Sequence, residues 1–139
     1  MNPPPASIPD HAADAQAGTP AGWAGLLRAH AAGLPAEAAA VDLLITHRHW
    51  LTRPGFTTGF IHPVTTGHGR RVGAWIDWPA AARALARGEL PCSGSEAAML
   101  AIAASLGADL PVVLRQVLGG LDTTNITAVT AAVTAANGT

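Results

Sequence analysis

Large apolar side chains recur along this chain at helical spacing, in short stretches separated by glycine, proline and capping residues. Trp23, Leu26, Leu27 and His30 fall at i, i+3, i+4 and i+7, the spacing of one helix face over Gly22 to Ala32. Gly33 suits the left-handed cap that ends such a helix. Pro35 suits the first turn of a second helix, and Glu37 the positive end of its dipole. Val41, Leu44, Ile45 and Leu51 form the apolar stripe of that helix. It should end by Thr52, because Pro54 disfavours helical geometry at Arg53.

The segment from Arg53 to Asp77 is interrupted by Gly55, Gly59, Pro63, Gly67, Gly69 and Gly73, which rule out a long helix. Two local structures fit it. Phe56 and Phe60 share a face if the chain makes a helical turn there. Alternatively, Phe60 to Val64 and Arg71 to Ile76 pair as a hairpin across Thr65 to Arg70, and this reading is preferred.

Beyond it the helix punctuation is regular. Asp77 caps a helix with Pro79 in its first turn, Leu85 inside and Gly88 after its end. Ser93-Gly94-Ser95-Glu96 reads as a capping box, opening a helix through Met99, Ile102, Ala103 and Leu106 to Gly107. Pro111 opens a short helix carrying Val113, Leu114, Val117 and Leu118, closed by Gly119-Gly120. Asp122 caps the last one, with Leu121 stapled to Ile126 and a stripe of Ile126, Val129 and Val133 up to Asn137-Gly138. The pattern predicts a mainly α protein: a compact bundle of five to six short helices with a small β-hairpin near 60–76.

Composition refines this picture. Of the 139 residues, 31 are alanine, which favours helix but buries little area, so Leu, Ile, Val and four Trp must build the core. Residues 1–20 hold Pro, Ala, Asp, Gly and Gln with Ile8 as the one large branched apolar side chain. That composition predicts a disordered tail ahead of a single helical domain at 21–139. The N-terminus lacks the basic and apolar regions of a signal peptide, and the uncharged run from Thr123 is too polar to span a bilayer. Cys92 is the one cysteine, so no internal disulfide forms, and a cytoplasmic location is expected. A net charge of −1 gives no overall field for nucleic acid or an anionic membrane.

Trp75-Ile76-Asp77-Trp78, Leu90-Pro91-Cys92-Ser93-Gly94 and Gly120-Leu121-Asp122, in this order, resemble small Ala/Arg-rich uncharacterised proteins of actinobacteria. The resemblance covers roughly residues 35 to 138. It implies a fold unit and carries no activity.

Four segments hold candidate chemistry. Leu43 to Ile76 contains Arg48, Arg53, Arg70 and Arg71, four histidines, four large aromatic residues and no acid. Arginine forks beside aromatic faces suit phosphate, nucleotide or RNA ligands, and the glycines around His68 let backbone donors approach an anion. The composition equally suits a solvated basic loop. His47, His49, His62 and His68 raise the idea of a histidine-based metal enzyme, yet two residues apart on a helix His47 and His49 point about 200° apart. Cys92, just before a helix N-terminus, is placed where a thiol pKa can fall, or is simply a small apolar residue. The helices near 94–106 and 112–118 have helix-turn-helix order but an acidic surround, which argues against DNA.

The last helix is notable for an absence. After Asp122 it carries no charge, and Thr123, Thr127, Thr130 and Thr134 recur at helical spacing beside the Ile/Val stripe. Exposed helix faces usually carry charge, so this face is a candidate contact for a protein partner or a second copy. With no assembled catalytic set and no cofactor motif, the leading expectation is a non-enzymatic cytoplasmic interaction module using its C-terminal helices.

Overall fold

The computed structural model describes residues 18–138 and is mainly helical, with seven α-helices, one 3-10 turn and a two-stranded sheet among them. In chain order these are α1 (Pro20–Ala31), α2 (Pro35–His47), the 3-10 turn (Trp50–Thr52), α3 (Pro54–Phe60), β1 (Ile61–Thr65), β2 (Arg71–Ile76), α4 (Trp78–Ala86), α5 (Gly94–Ala108), α6 (Leu114–Leu118) and α7 (Thr123–Ala136). Among the described residues no helix is long and apolar enough to cross a membrane.

The predicted caps are present. Asp77 accepts from the Ala80 amide, Ser93 and Glu96 form the reciprocal capping box, and Asp122 accepts from the Asn125 amide. Helix α1 begins earlier than expected: the Thr19 hydroxyl accepts from the Gly22 amide at 3.1 Å, and Pro20 occupies the first turn. The expected tail therefore gives way to helix at Thr19, and its residues 1–17 lie outside the described residues.

Helix α2 is the centre of the bundle, packed on α1, α5 and α7. It is shorter than predicted. Arg48 takes the left-handed conformation, φ 69°, and its amide bonds the Leu44 carbonyl, ending the helix at His47. An arginine there is sterically uncommon, which is why the sequence shows no stop before Pro54. The expected Leu51 still reaches the core, but from the 3-10 turn, beside Trp50 and Phe56.

The middle segment realises both of its readings in succession. Pro54–Phe60 is a helix on which Phe56 and Phe60 stack at 5.5 Å, and the strand begins at the next residue. Ile61 pairs with Ile76 and His62 with Trp75, antiparallel, with a register shift at Val64/Thr65. The hairpin lies against α1, where Gly73 admits the His30 Cβ close to its backbone.

Alanine decides which faces are buried. On α1, Ala24 and Ala31 join Trp23 and Leu27 in the core, while the predicted His30 is exposed. On α6 the expected Val113 and Leu114 are 58% and 59% exposed, because the helix begins only at Leu114 and turns Val117 and Leu118 inward. Helix α4 meets α5 at Gly107, where a Cβ would lie 2.4 Å from the Trp78 indole nitrogen. Glycine inside that helix is thus a packing requirement.

Candidate functional site

Helix α7 seats Val129 and Ala132 against the bundle, with Ala128 and Ala136 partly buried beside them. The predicted stripe is therefore rotated: Ile126 is 36% and Val133 56% exposed. Small side chains let α7 approach α2 closely, so alanine takes the inner face and the larger residues turn outward. Between the two helices remains an open groove of about 210 Å³, bordered by Asp42 and Thr46 on α2 and Ala131 and Ala135 on α7. Its one carboxylate, Asp42, is already paired with Arg28 at 3.1 Å. Among the described residues no set of polar groups converges in this groove to orient a ligand.

Outward from α7 point Thr123, Thr127, Thr130 and Thr134, all exposed, together with Ile126 and Val133. Three of the hydroxyls donate to the carbonyl one turn back: Thr127 to Thr123 at 2.9 Å, Thr130 to Ile126 at 2.9 Å, and Thr134 to Thr130 at 3.0 Å. Such back-bonding occupies the hydroxyl proton within the helix and leaves the threonine methyl as the outward group. The face is accordingly less polar than its composition suggests.

A second cluster, which the sequence did not reveal, joins the end of α2 to the start of α5. Because Arg48 breaks the helix, His49 turns back and its Nδ1 lies 3.1 Å from Glu96 Oε2. The Trp50 indole donates to the Glu96 carbonyl at 3.1 Å, and Arg53 lies over the Trp50 ring at 4.8 Å. The same guanidinium donates to the Pro91 carbonyl at 2.7 Å and approaches His49 Nε2 at 3.5 Å. Glu96 meanwhile accepts from the Ser93 amide at 2.7 Å, and chiefly this bond, helped by the nearby histidines, holds its carboxyl below the usual value. Nearly every polar group in the cluster is committed to another segment of the chain, which makes it a clamp.

Two groups beside the clamp titrate abnormally. Burial, reinforced by His49, lowers the His47 pKa against the pull of Glu96 and Asp122, and its Nδ1 is buried without a hydrogen-bond partner among the described residues. Loss of water around the Cys92 sulfur, although the residue is exposed, pushes its pKa up; Glu96 adds to this and Arg53 opposes it. The thiol therefore stays protonated near neutral pH, the reverse of the activation that its place before α5 suggested.

The basic residues do not form one site. Arg48 is the exposed cap of α2, Arg53 belongs to the clamp, Arg71 lies over the Trp23 ring at 5.4 Å, and His68 and Arg70 occupy the hairpin turn. The backbone donors of that turn are occupied: the amides of His68 and Arg70 both donate to Thr66 Oγ1, at 3.3 and 3.2 Å. These two amides are therefore committed within the turn, and an anion there would have to be met by side chains. His47 and His49 come within 6.0 Å ring to ring, while His62 stacks on Trp75. Among the described residues no three His, Cys, Asp or Glu side chains are grouped to hold a metal ion.

No family model, curated protein or solved structure matches this chain significantly.

Proposed function

We propose that the chain is a protein-interaction module whose contact surface is the outward face of α7, engaging a protein partner or a second copy of itself. One observation carries the reading. Over Thr123–Ala136 there is no charge, Ile126 and Val133 are exposed, and three threonine hydroxyls are turned back onto their own helix. Burying such a face strips water from methyl groups and leaves few polar groups unpaired, which is the balance found at interface centres. The spacing of Ile126, Thr130 and Val133 matches the i, i+4, i+7 anchors with which a helix docks into a groove or onto another helix.

The test combines affinity capture from source lysate with light scattering of the purified chain. Thr127→Glu and Thr130→Arg each place a charge at the centre of the face and should abolish association while far-UV circular dichroism stays unchanged. Association that survives both substitutions, or a wild-type chain that stays monomeric and captures no protein, refutes the reading.

A further inference from the structure

We propose that the β1–β2 hairpin is a second and separate contact surface, one that takes single-stranded nucleic acid by stacking a base on Trp75 and meeting phosphates with the cationic turn. Three of the four tryptophans are buried, Trp23 at 7%, Trp50 at 0% and Trp78 at 3% exposure, whereas Trp75 is 39% exposed. In a chain with two Phe and no Tyr, Trp75 is the tryptophan that keeps more than a third of its surface open to solvent. It is also pre-oriented. His62, directly opposite in the strand register, stacks on it with centroids 4.7 Å apart and planes at 33°. A ring already held by its neighbour loses little rotamer freedom when a base stacks on it.

Charge selects the occupant. Arg70 and His68 sit exposed on the turn that follows β1, and no Asp or Glu occurs from Leu43 to Ile76. The nearest acid in sequence, Asp77, is occupied in capping α4. Because Thr66 occupies the turn amides and Gly69 adopts φ 80° to close the loop, the backbone offers no cradle, and phosphates must be met by the side chains of Arg70 and His68. Cations at the turn end of the hairpin and, toward its other end, an aromatic ring that accepts any base are the two parts of a sequence-tolerant surface that a strand of several nucleotides can span. A duplex keeps its bases stacked on each other and offers Trp75 no face. An acidic protein segment would match the charge but leave the stacked ring unused.

The experiment uses the full chain and fluorescein-labelled oligo(dT) and oligo(U) of about 12 nucleotides, within the usual site size. Anisotropy is read at low salt and then across a salt titration. We expect binding that weakens linearly in log–log form with salt, together with quenching of tryptophan emission, since Trp75 is the accessible indole. Trp75→Ala should weaken binding about tenfold or more, Trp75→Phe should keep most of it, and Arg70→Ala should lower the salt slope by about one. The ribose and deoxyribose arms report which strand is preferred. Absence of binding to either oligonucleotide at low salt overturns the proposal. So does wild-type affinity in Trp75→Ala, or wild-type tryptophan emission unchanged at saturating oligonucleotide, a readout that needs no variant to fold. Since Thr130→Arg lies outside the hairpin, it should leave oligonucleotide binding intact; failure of the α7 reading and failure of this one are thus separable.

Discussion

The clamp at the end of α2 and the outer face of α7 satisfy their polar groups in opposite ways. In the clamp, Arg53, Trp50, His49 and Glu96 bond across segments far apart in sequence, so each bond restricts the fold. On α7 three threonine hydroxyls, those of Thr127, Thr130 and Thr134, bond to a carbonyl four residues back, and the bond holds nothing beyond its own helix. Polar residues that tie the chain together are expended on stability. Polar residues that satisfy themselves leave a surface whose remaining free energy is released only by contact with something else. The difference separates residues whose loss should unfold the protein from residues whose loss, on the α7 contact proposed above, should cost association alone.

The largest break in that comparison is Trp50→Ala. The side chain is fully buried, stacks on Phe56 at 5.4 Å and donates to Glu96. Removing it should cost about 3–5 kcal/mol, read as a drop in the chemical-denaturation midpoint. A loss below about 1 kcal/mol would mean that the corner is not a structural clamp. Gly107→Ala follows. Alanine gains about 1 kcal/mol of helix propensity, but its Cβ would run into the Trp78 indole, which is only 3% exposed. Overpacking of roughly 1–3 kcal/mol should prevail, and a raised melting temperature would show that α4 and α5 separate more easily than their packing implies.

Acidification probes the same corner more gently. His47 has a lowered folded pKa, so the unfolded chain binds the proton more readily, and stability should decline as pH falls below about 6.5. Glu96 also has a lowered folded pKa, so its carboxylate contributes at neutral pH and that contribution is lost as pH falls below about 4.5. Denaturation midpoints measured from pH 8 downward should therefore fall in two stages. His47→Leu should remove the upper stage and leave the lower one. A profile flat between pH 7 and 5 in the wild type would show that His47 is not held neutral.

How much of this was legible in the sequence follows from the range of each signal. Asp77, Ser93, Glu96 and Asp122 are local caps whose chemistry is complete within four residues, so the helices that they open could be placed. Arg48 acts locally too, but nothing about arginine announces a left-handed residue, and the missed break hid the His49–Glu96 pair. Burial on α7 was misread because alanines on every side leave little contrast between faces. Ala132 rather than Val133 lies in the core, a choice made by the close approach of α2. The threonine stripe itself could be read at its spacing; the direction of its hydroxyls could not, since that depends on side-chain rotamers. Likewise the basic segment was visible, whereas its division between clamp, α1 and hairpin turn is a product of tertiary packing.

The smallest change sharpens the comparison most. Thr130→Val keeps the branched shape of the side chain and deletes a hydroxyl whose proton already goes to the Ile126 carbonyl. If that hydroxyl serves only its own helix, stability should change by no more than about 0.5 kcal/mol, as for most surface positions. Association through α7 should persist or strengthen, because the variant presents methyls and has one polar oxygen fewer to desolvate. Light scattering and capture, run beside Thr130→Arg, give the reading. Loss of association in Thr130→Val, with the fold intact, would show that the partner bonds to the hydroxyl oxygen, whose lone pairs stay open even when its proton is taken. The face would then be a polar recognition surface in which Thr127, Thr130 and Thr134 present a row of acceptors. Retention in Thr130→Val together with loss in Thr130→Arg would leave apolar contact as the force that acts there.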